Sequence, residues 1–508
     1  MAATQPTRRS SPDGPSVRVL AEQAFSRAAG APLLAENRVD LLIDARVNFD
    51  AWLAAIRDAK SLVLLENYIF RDDDTGRAFR DALAERAAAG VRVCVIRDWI
   101  GCLGQSRHAF WHPLIAAGGE VRTYNPFNPA SPFGWLSRDH RKLVVVDNTV
   151  AFVGGICVSG TWLGDEKRGI APWRDTAIAV RGPALRDLAN AFADTWATLG
   201  EPLSPEALDL TDRCLPAGKV DLRVVATVPN TAGLYRLDQL IAAMSRRSLW
   251  ITDAYFVGVA PYVQALSSAA RDGVDVRLLV PGTSDIPAVA AISRAGYRPL
   301  LEAGVRVFEW NGSMLHAKTA VADSRWARVG SSNLNLSSWI GNCELDIAVE
   351  DETFARSMEA QYETDLGNAT EIVLKLPRRK RKPNLGEAPP ESKAGEAVAA
   401  AESPPPKPVD EPPPAARKGP PYPRARGGSS GRAAAGAMRS ANSVGAAIAN
   451  RRVLGRSESS LLLVAGLVLV ACAIVSIIWP RIVAWPLAAI GCWIGLTLVW
   501  GWFSDRKR

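Results

Sequence analysis

The strongest constraint on how this 508-residue chain can fold is that its first three quarters repeat. "SLVLLENYIF" begins at residue 61 and "SLWITDAYFV" at residue 248. "AERAAAGVRVCVIRD" (84–98) is matched by "SSAARDGVDVRLLVP" (267–281). "DHRKLVVVD" (Asp139–Asp147) is matched by "LHAKTAVAD" (Leu315–Asp323). The interval between partners is nearly constant and shortens slowly along the series, which means two copies differing by loop insertions. Each copy reads as helix, apolar strand, helix, strand, then a His-x-Lys leading into a further apolar strand. Strands alternating with helices predict an α/β fold built from two similar mixed-sheet halves. Pseudo-symmetry between the halves can bring both His-x-Lys stretches to one interface.

Two of the chain's four histidines therefore lie in one pattern, His, any residue, Lys, any four, Asp. On a strand, positions i and i+2 share a face. His140 and Lys142 are expected to project together, as are His316 and Lys318. An imidazole beside an ammonium suits an anionic phosphate: the lysine holds oxygens, and the histidine attacks phosphorus or moves a proton. "GSSN" (Gly330–Asn333) adds a hydroxyl and an amide near where an oxyanion would sit. With two copies facing each other, one histidine can be nucleophile while the other protonates the leaving group.

Charge locates this chemistry. The chain carries +8 overall, but 377–458 holds 16 Lys and Arg against 7 acids and 459–508 holds 4 against 1. Residues 1–376 are left with about −4. A basic tail behind an acidic catalytic region argues against a nucleic-acid partner, because neutralising phosphates needs clustered cations. The seven cysteines, at 94, 102, 157, 214, 343, 472 and 492, include no CxxC pair. That fits reduced thiols in a cytoplasmic setting better than a disulfide framework. The basic N-terminus lacks an apolar h-region, so no secretory signal is expected.

Residues 377–457 contain 14 of the 34 prolines and few large apolar side chains, which predicts a disordered linker over 377–458. Beyond it, 461–479 and 482–503 are long uncharged runs, separated by Pro480 and Arg481. At about 1.5 Å rise per residue each can cross a hydrocarbon core of about 30 Å, so 459–508 reads as a membrane anchor with two transmembrane helices. Trp479, Trp485, Trp500 and Trp502 sit near the run ends. Arg451, Arg452, Arg456, Arg506, Lys507 and Arg508 flank the pair, which places both ends in the cytoplasm. The expected organisation is a flexible segment over 1–37, one α/β domain over 38–210, a second over 211–376, the linker and the anchor.

Other motifs read more plainly. His108 and His112 have a helical metal-ligand spacing but no companion acid, so packing is the expectation and no metal site is assigned. "RDDDTG" (71–76) is expected to be a solvated turn. "RRKRK" (378–382) is the densest basic run and suits attraction to anionic lipid.

The doubled HxKxxxxD with Gly-Ser-x-Asn resembles the phospholipase D superfamily. "ENYIFRDDDTG", "RDHRKLVVVD", "DAYFV", "LLVPGTSDIPAV", "LLEAGVRVFEW" and "GSSNLNLSSWIGNCEL" resemble its bacterial cardiolipin synthase branch, over about residues 38 to 375. The resemblance implies a phosphatidyltransferase that uses no metal or other cofactor and passes through a phosphohistidine. It implies that His140 attacks and His316 protonates. Lys142, Lys318, Ser331 and Asn333 would bind phosphate, and Asp147 and Asp323 would be structural within the site. It also implies an acid downstream that orients each histidine: Glu344 for His316, and Asp175 for His140. The first half departs from the pattern, with "GGIC" in place of "GSSN", so Cys157 stands where the family has asparagine. Phospholipid substrates such as phosphatidylglycerol and a location at the cytoplasmic membrane follow from the resemblance and the anchor. A phospholipase D hydrolase, a nuclease-type phosphodiesterase and a degenerate scaffold remain open alternatives. The sequence does not set the acceptor alcohol or the oligomeric state.

Overall fold

The computed structural model describes residues 17–128, 137–208 and 214–374, with single positions at 485 and 492. The expected linker and the run at 461–479 lie outside the described residues, as does the run at 482–503 apart from those two positions. Among those described, no helix is long and apolar enough to cross a membrane.

The first half contributes strands β1 (Leu34–Ile43), β2 (Leu62–Asn67), β3 (Arg92–Asp98), β4 (Glu120–Tyr124), β5 (Lys142–Val146), β6 (Val150–Gly154) and β7 (Thr176–Arg181). The second contributes β8 (Val220–Thr227), β9 (Ser248–Thr252), β10 (Asp275–Pro281), β11 (Arg306–Trp310), β12 (Thr319–Ala322), β13 (Trp326–Gly330), β14 (Glu344–Glu350) and β15 (Ala369–Ile372). All fifteen form one mixed sheet, ordered β15-β11-β10-β9-β12-β13-β14-β8-β1-β7-β6-β5-β2-β3-β4. Leaving out β15, each strand of the second half occupies the place of the strand seven earlier. The halves join where β1 and β8 pair antiparallel, with a shift in register between Leu34 and Asn37.

Helices cover both faces. On one, Phe192 and Trp196 of helix Leu185–Ala197 and Phe354 and Tyr362 of helix Glu352–Leu366 belong to a core that runs through both halves. On the other, each half has its own core under its own helices. Burial on both faces explains why "LVVV" and "TAVA" are continuous apolar runs rather than alternating ones.

The aspartate ending each repeated motif sets register. Asp147 and Asp323 occupy the hairpin turns after β5 and β12 with φ of 49° and 53°, a left-handed conformation that aspartate tolerates. Asp147 accepts from the amides of Lys60, Ser61 and Leu62 at 2.7, 2.8 and 2.9 Å. Asp323 accepts from those of Arg246, Arg247 and Ser248 at 2.9, 2.7 and 3.0 Å. Each carboxylate thus pins the entry of the adjacent antiparallel strand, β2 or β9, at the opposite end of its own strand from the lysine, roughly 16 Å away. Both were expected to bond within the site; their bonds instead lie at the far strand ends, and neither lines the cavity between the histidines.

Two local expectations need correction. The segment 1–37, expected to be flexible, contains helix Val17–Ala29 and the start of β1. Ala29 is buried against Leu234 and Leu237 of the second half, and Arg236 donates to the Ala28 carbonyl at 3.1 Å. A Cβ at Gly233 would lie 2.4 Å from the Ala29 carbonyl oxygen, so glycine permits this approach. Such an anchor between distant segments leaves no local pattern in the sequence. The acidic run at 71–76, expected to be a solvated turn, is a helix start: Asp73 caps helix Asp74–Ala88 by accepting from Gly76 N at 2.9 Å, and also takes the Gly160 amide at 2.8 Å.

Candidate active site

Each His-x-Lys lies at the entry to a central strand, β5 or β12, with the two side chains on one face as their spacing requires. Two short parallel pairings then cross from half to half. His140 N donates to the Cys343 carbonyl at 2.9 Å, and Cys343 N to that of Arg138 at 2.8 Å. His316 N donates to the Arg174 carbonyl at 2.7 Å, and Arg174 N to that of Met314 at 3.0 Å. Cys343 and Arg174 immediately precede Glu344 and Asp175. The backbone pairing therefore delivers each acid to the histidine of the other half.

The side chains follow. His140 Nδ1 lies 3.0 and 2.9 Å from the two Glu344 oxygens. His316 Nδ1 lies 2.7 Å from Asp175 Oδ2. This reverses the expected assignment of Glu344 to His316 and Asp175 to His140. Counting residues along one half could not reveal an exchange between halves.

The two acids are held differently. Glu344 also accepts from Ser331 Oγ at 2.6 Å and Asn342 Nδ2 at 3.2 Å. Ser331 is fully buried behind the carboxylate, so it orients Glu344 instead of meeting a phosphate as expected. In the first half Gly155 takes the place of Ser331, and a Cβ there would lie 2.2 Å from Asp175 Oδ1. Asp175 accepts from Trp162 Nε1 and from the Thr176 amide, both at 2.8 Å. Trp162 carried no signal in the sequence.

Burial governs the charges. It pulls His140 down to about 4, against the attraction of Glu344, and His316 down to about 3, with Lys318 adding to the shift. Burial opposes ionisation of Asp175 and Glu344, yet the facing histidines and lysines hold Asp175 at about 2 and Glu344 below its usual range. The resting pairs are neutral imidazoles beside carboxylates, each giving its Nδ1 proton to its acid and leaving Nε2 for chemistry. Lys318 Nζ is also 2.9 Å from His316 Nδ1, but an ammonium needs a lone pair there, and the Asp175 bond has already used that nitrogen's proton-bearing form. Lys318 and Lys142 instead donate to the carbonyls of His316 and His140. Burial brings Lys318 down to about 8.

Both histidines open on one cavity of about 460 Å³ that also exposes Asn333 and Cys157. The Asn333 Oδ1 is buried without a hydrogen-bond partner, so this side chain has unspent polar capacity at the cavity wall. Burial pushes the Cys157 thiol up, which suits packing better than nucleophilic attack. Tyr68 and Tyr255, equivalent positions of the repeat, flank the pairs with ring centres 4.9 Å from His140 and 5.7 Å from His316. The aligned "ENYIF" and "DAYFV" held that signal. Elsewhere, His108 Nδ1 and His112 Nε2 stand 3.1 Å apart on the surface and bond each other. Among the described residues no group of three His, Cys, Asp or Glu is placed to hold a metal ion.

Two halves of one sheet, with a His-Lys pair from each at one cavity, define the phospholipase D-like class. The family model described as "Cardiolipin synthase, PLD-like domain" matches residues 52–161 and 238–366. Cardiolipin synthase A of Pseudomonas fluorescens (strain SBW25) is 35% identical over 370 residues, covering 71% of this chain and 75% of that protein. Cardiolipin synthase A of Pseudomonas aeruginosa (strain LESB58) is 36% identical over 356 residues, covering 69% of this chain and 71% of that one. The crystal structure of phosphatidylserine synthase from Haemophilus influenzae Rd KW20 shares the fold, with TM-score 0.53 at 13% identity over 69% of this chain and 92% of its own. The chain belongs to the cardiolipin synthase family of phospholipase D-like proteins.

Proposed function

We propose that the protein is a phosphatidyltransferase that moves a phosphatidyl group from one phospholipid to the hydroxyl of another through a phosphohistidine. The observation that carries this reading is the crossed pairing, His140 with Glu344 and His316 with Asp175, around one cavity. It holds both imidazoles in the tautomer that offers Nε2. His140 Nε2 attacks phosphorus, the bond to the departing alcohol breaks, and a protonated His316 supplies that alcohol with its proton. The acceptor hydroxyl then gives its proton to His316 as its oxygen attacks phosphorus. The phosphorus–nitrogen bond breaks and returns its electron pair to His140. Lys142, Lys318 and Asn333 hold the phosphoryl oxygens. The negative phosphodiester raises the affinity of His316 for a proton, offsetting the burial that keeps it neutral in the empty site.

Phosphatidylglycerol as both donor and acceptor, giving cardiolipin and glycerol, fits the names of the relatives. Membrane attachment through 461–479 and 482–503, with the catalytic region in the cytoplasm, rests on the length and apolarity of those runs and their flanking arginines. Purified protein incubated with phosphatidylglycerol vesicles in EDTA is expected to yield cardiolipin and glycerol by mass spectrometry. Phosphatidic acid alone would identify a hydrolase instead, and loss of turnover in EDTA would overturn the metal-free route.

A further inference from the structure

The two cavity walls differ in charge. Tyr68 and Tyr255 hold equivalent places, each ring beneath its own half's lysine, at 5.1 Å from Lys142 Nζ and 5.6 Å from Lys318 Nζ. Their hydroxyls face opposite partners. Tyr255 donates to Asp285 Oδ1 at 2.8 Å, whereas Tyr68 accepts from Arg138 Nη1 at 3.2 Å. Arg71 lines the same cavity as Arg138.

Neither arginine has a carboxylate within ion-pair distance among the described residues. Several other arginines do: buried Arg174 and Arg328 meet Asp365 and Asp346 at 2.8 and 3.0 Å, and surface Arg77 and Arg306 meet Asp72 and Glu371 at 2.7 and 2.8 Å. Two guanidinium groups without a paired carboxylate on one cavity lining suit an anion, and guanidinium geometry matches phosphate oxygens. The phosphoryl group between the histidines already has Lys142 and Lys318. The Tyr68 ring stands between Arg138 and His140, so an anion held by the arginines lies beside the reacting group without competing for it. Asp285 on the far wall repels a second anion there, which makes the arrangement one-sided.

We propose that Arg71 and Arg138 form a second anion subsite that binds the phosphate of the acceptor phospholipid. This rests on the transferase reading above and assigns the acceptor its chemical class: an alcohol that carries its own phosphate. Held by that phosphate, the acceptor presents its free hydroxyl to the phosphohistidine. Its oxygen bonds to phosphorus, the phosphorus–nitrogen bond breaks with the electron pair returning to the imidazole, and the hydroxyl proton passes to the opposite imidazole. Water and uncharged alcohols have no phosphate to be held this way.

The test compares two acceptors in one assay. Full-length enzyme in phosphatidylglycerol vesicles containing ethanol is followed by mass spectrometry for cardiolipin and phosphatidylethanol. Arg71→Gln and Arg138→Gln are expected to lower cardiolipin formation about tenfold more than phosphatidylethanol formation, the loss of one charge-assisted hydrogen bond. Arg71 is exposed, so its variant tests the subsite even if Arg138→Gln fails to fold. A parallel fall of both products, or no change in cardiolipin, overturns the subsite while leaving the transferase reading intact. A wild-type protein that makes phosphatidylethanol but no cardiolipin overturns the reading of a phospholipid as acceptor, and the subsite with it.

Discussion

The two halves share a strand order, a motif and a turn aspartate, yet they equip their histidines unequally. His140 faces a glutamate from the second half that is held by Ser331 and Asn342. His316 faces a shorter aspartate from the first half that is held by Trp162, with glycine where the serine would be. Asn333 has Cys157 as its counterpart. In a symmetric site either histidine could attack. In the proposed mechanism the inequality assigns each half one task, and the crossing makes each histidine depend on an acid from the other half.

The largest expected effect tests that division. His140→Ala and His316→Ala should each lower turnover by more than about 10³-fold on phosphatidylglycerol. They should separate on a phosphatidyl ester with a nitrophenol leaving group, which departs without a proton. Activity should return substantially in His316→Ala and stay lost in His140→Ala; the opposite result would exchange the two roles. The crossing adds a sharper demand, because Asp175→Asn should resemble the His316 variant and Glu344→Gln the His140 variant. If each acid instead followed the histidine of its own half, the crossed pairing would have no functional meaning.

A smaller effect tests the unequal oxyanion contacts. Asn333→Ala should lower kcat/KM roughly 10²-fold, the usual consequence of losing one preorganised donor. Cys157→Ala should change it by less than about threefold, since a buried thiol packs as a small apolar group. Equal losses at both positions would restore the symmetric picture.

How much of this the sequence disclosed depends on range. The repeat predicted two α/β halves, and strand periodicity placed each histidine beside its lysine, because both rules act within a few residues. The identities of the acids were also legible, but not their partners. Glu344 stands close to His316 in the chain and far from His140, and only the cross-half backbone pairing decides between them. Ser331 looked like a phosphate ligand because a hydroxyl beside a glycine suits an oxyanion. Its burial behind Glu344 is set by the strand pairing of β13 with β14. Helix Val17–Ala29 escaped notice because it is anchored at Gly233, in the other half of the repeat.

The smallest expected effect concerns Lys318, the lysine of the second half. Lys318 is lowered to about 8 by burial, with Asp175 pulling it up and Lys142 pushing it down. A lowered lysine is charged below that pH and neutral above it. The free enzyme should therefore lose one phosphate-holding charge as pH rises through about 8, and kcat/KM should fall there. The neighbouring tyrosines do not offer a competing explanation, because burial raises Tyr68 to about 12 and Tyr255 further. Lys318→Arg keeps its charge throughout and should move the alkaline fall upward, even if its bulk lowers the plateau. A pH profile unchanged by Lys318→Arg would remove this lysine as the titrating group.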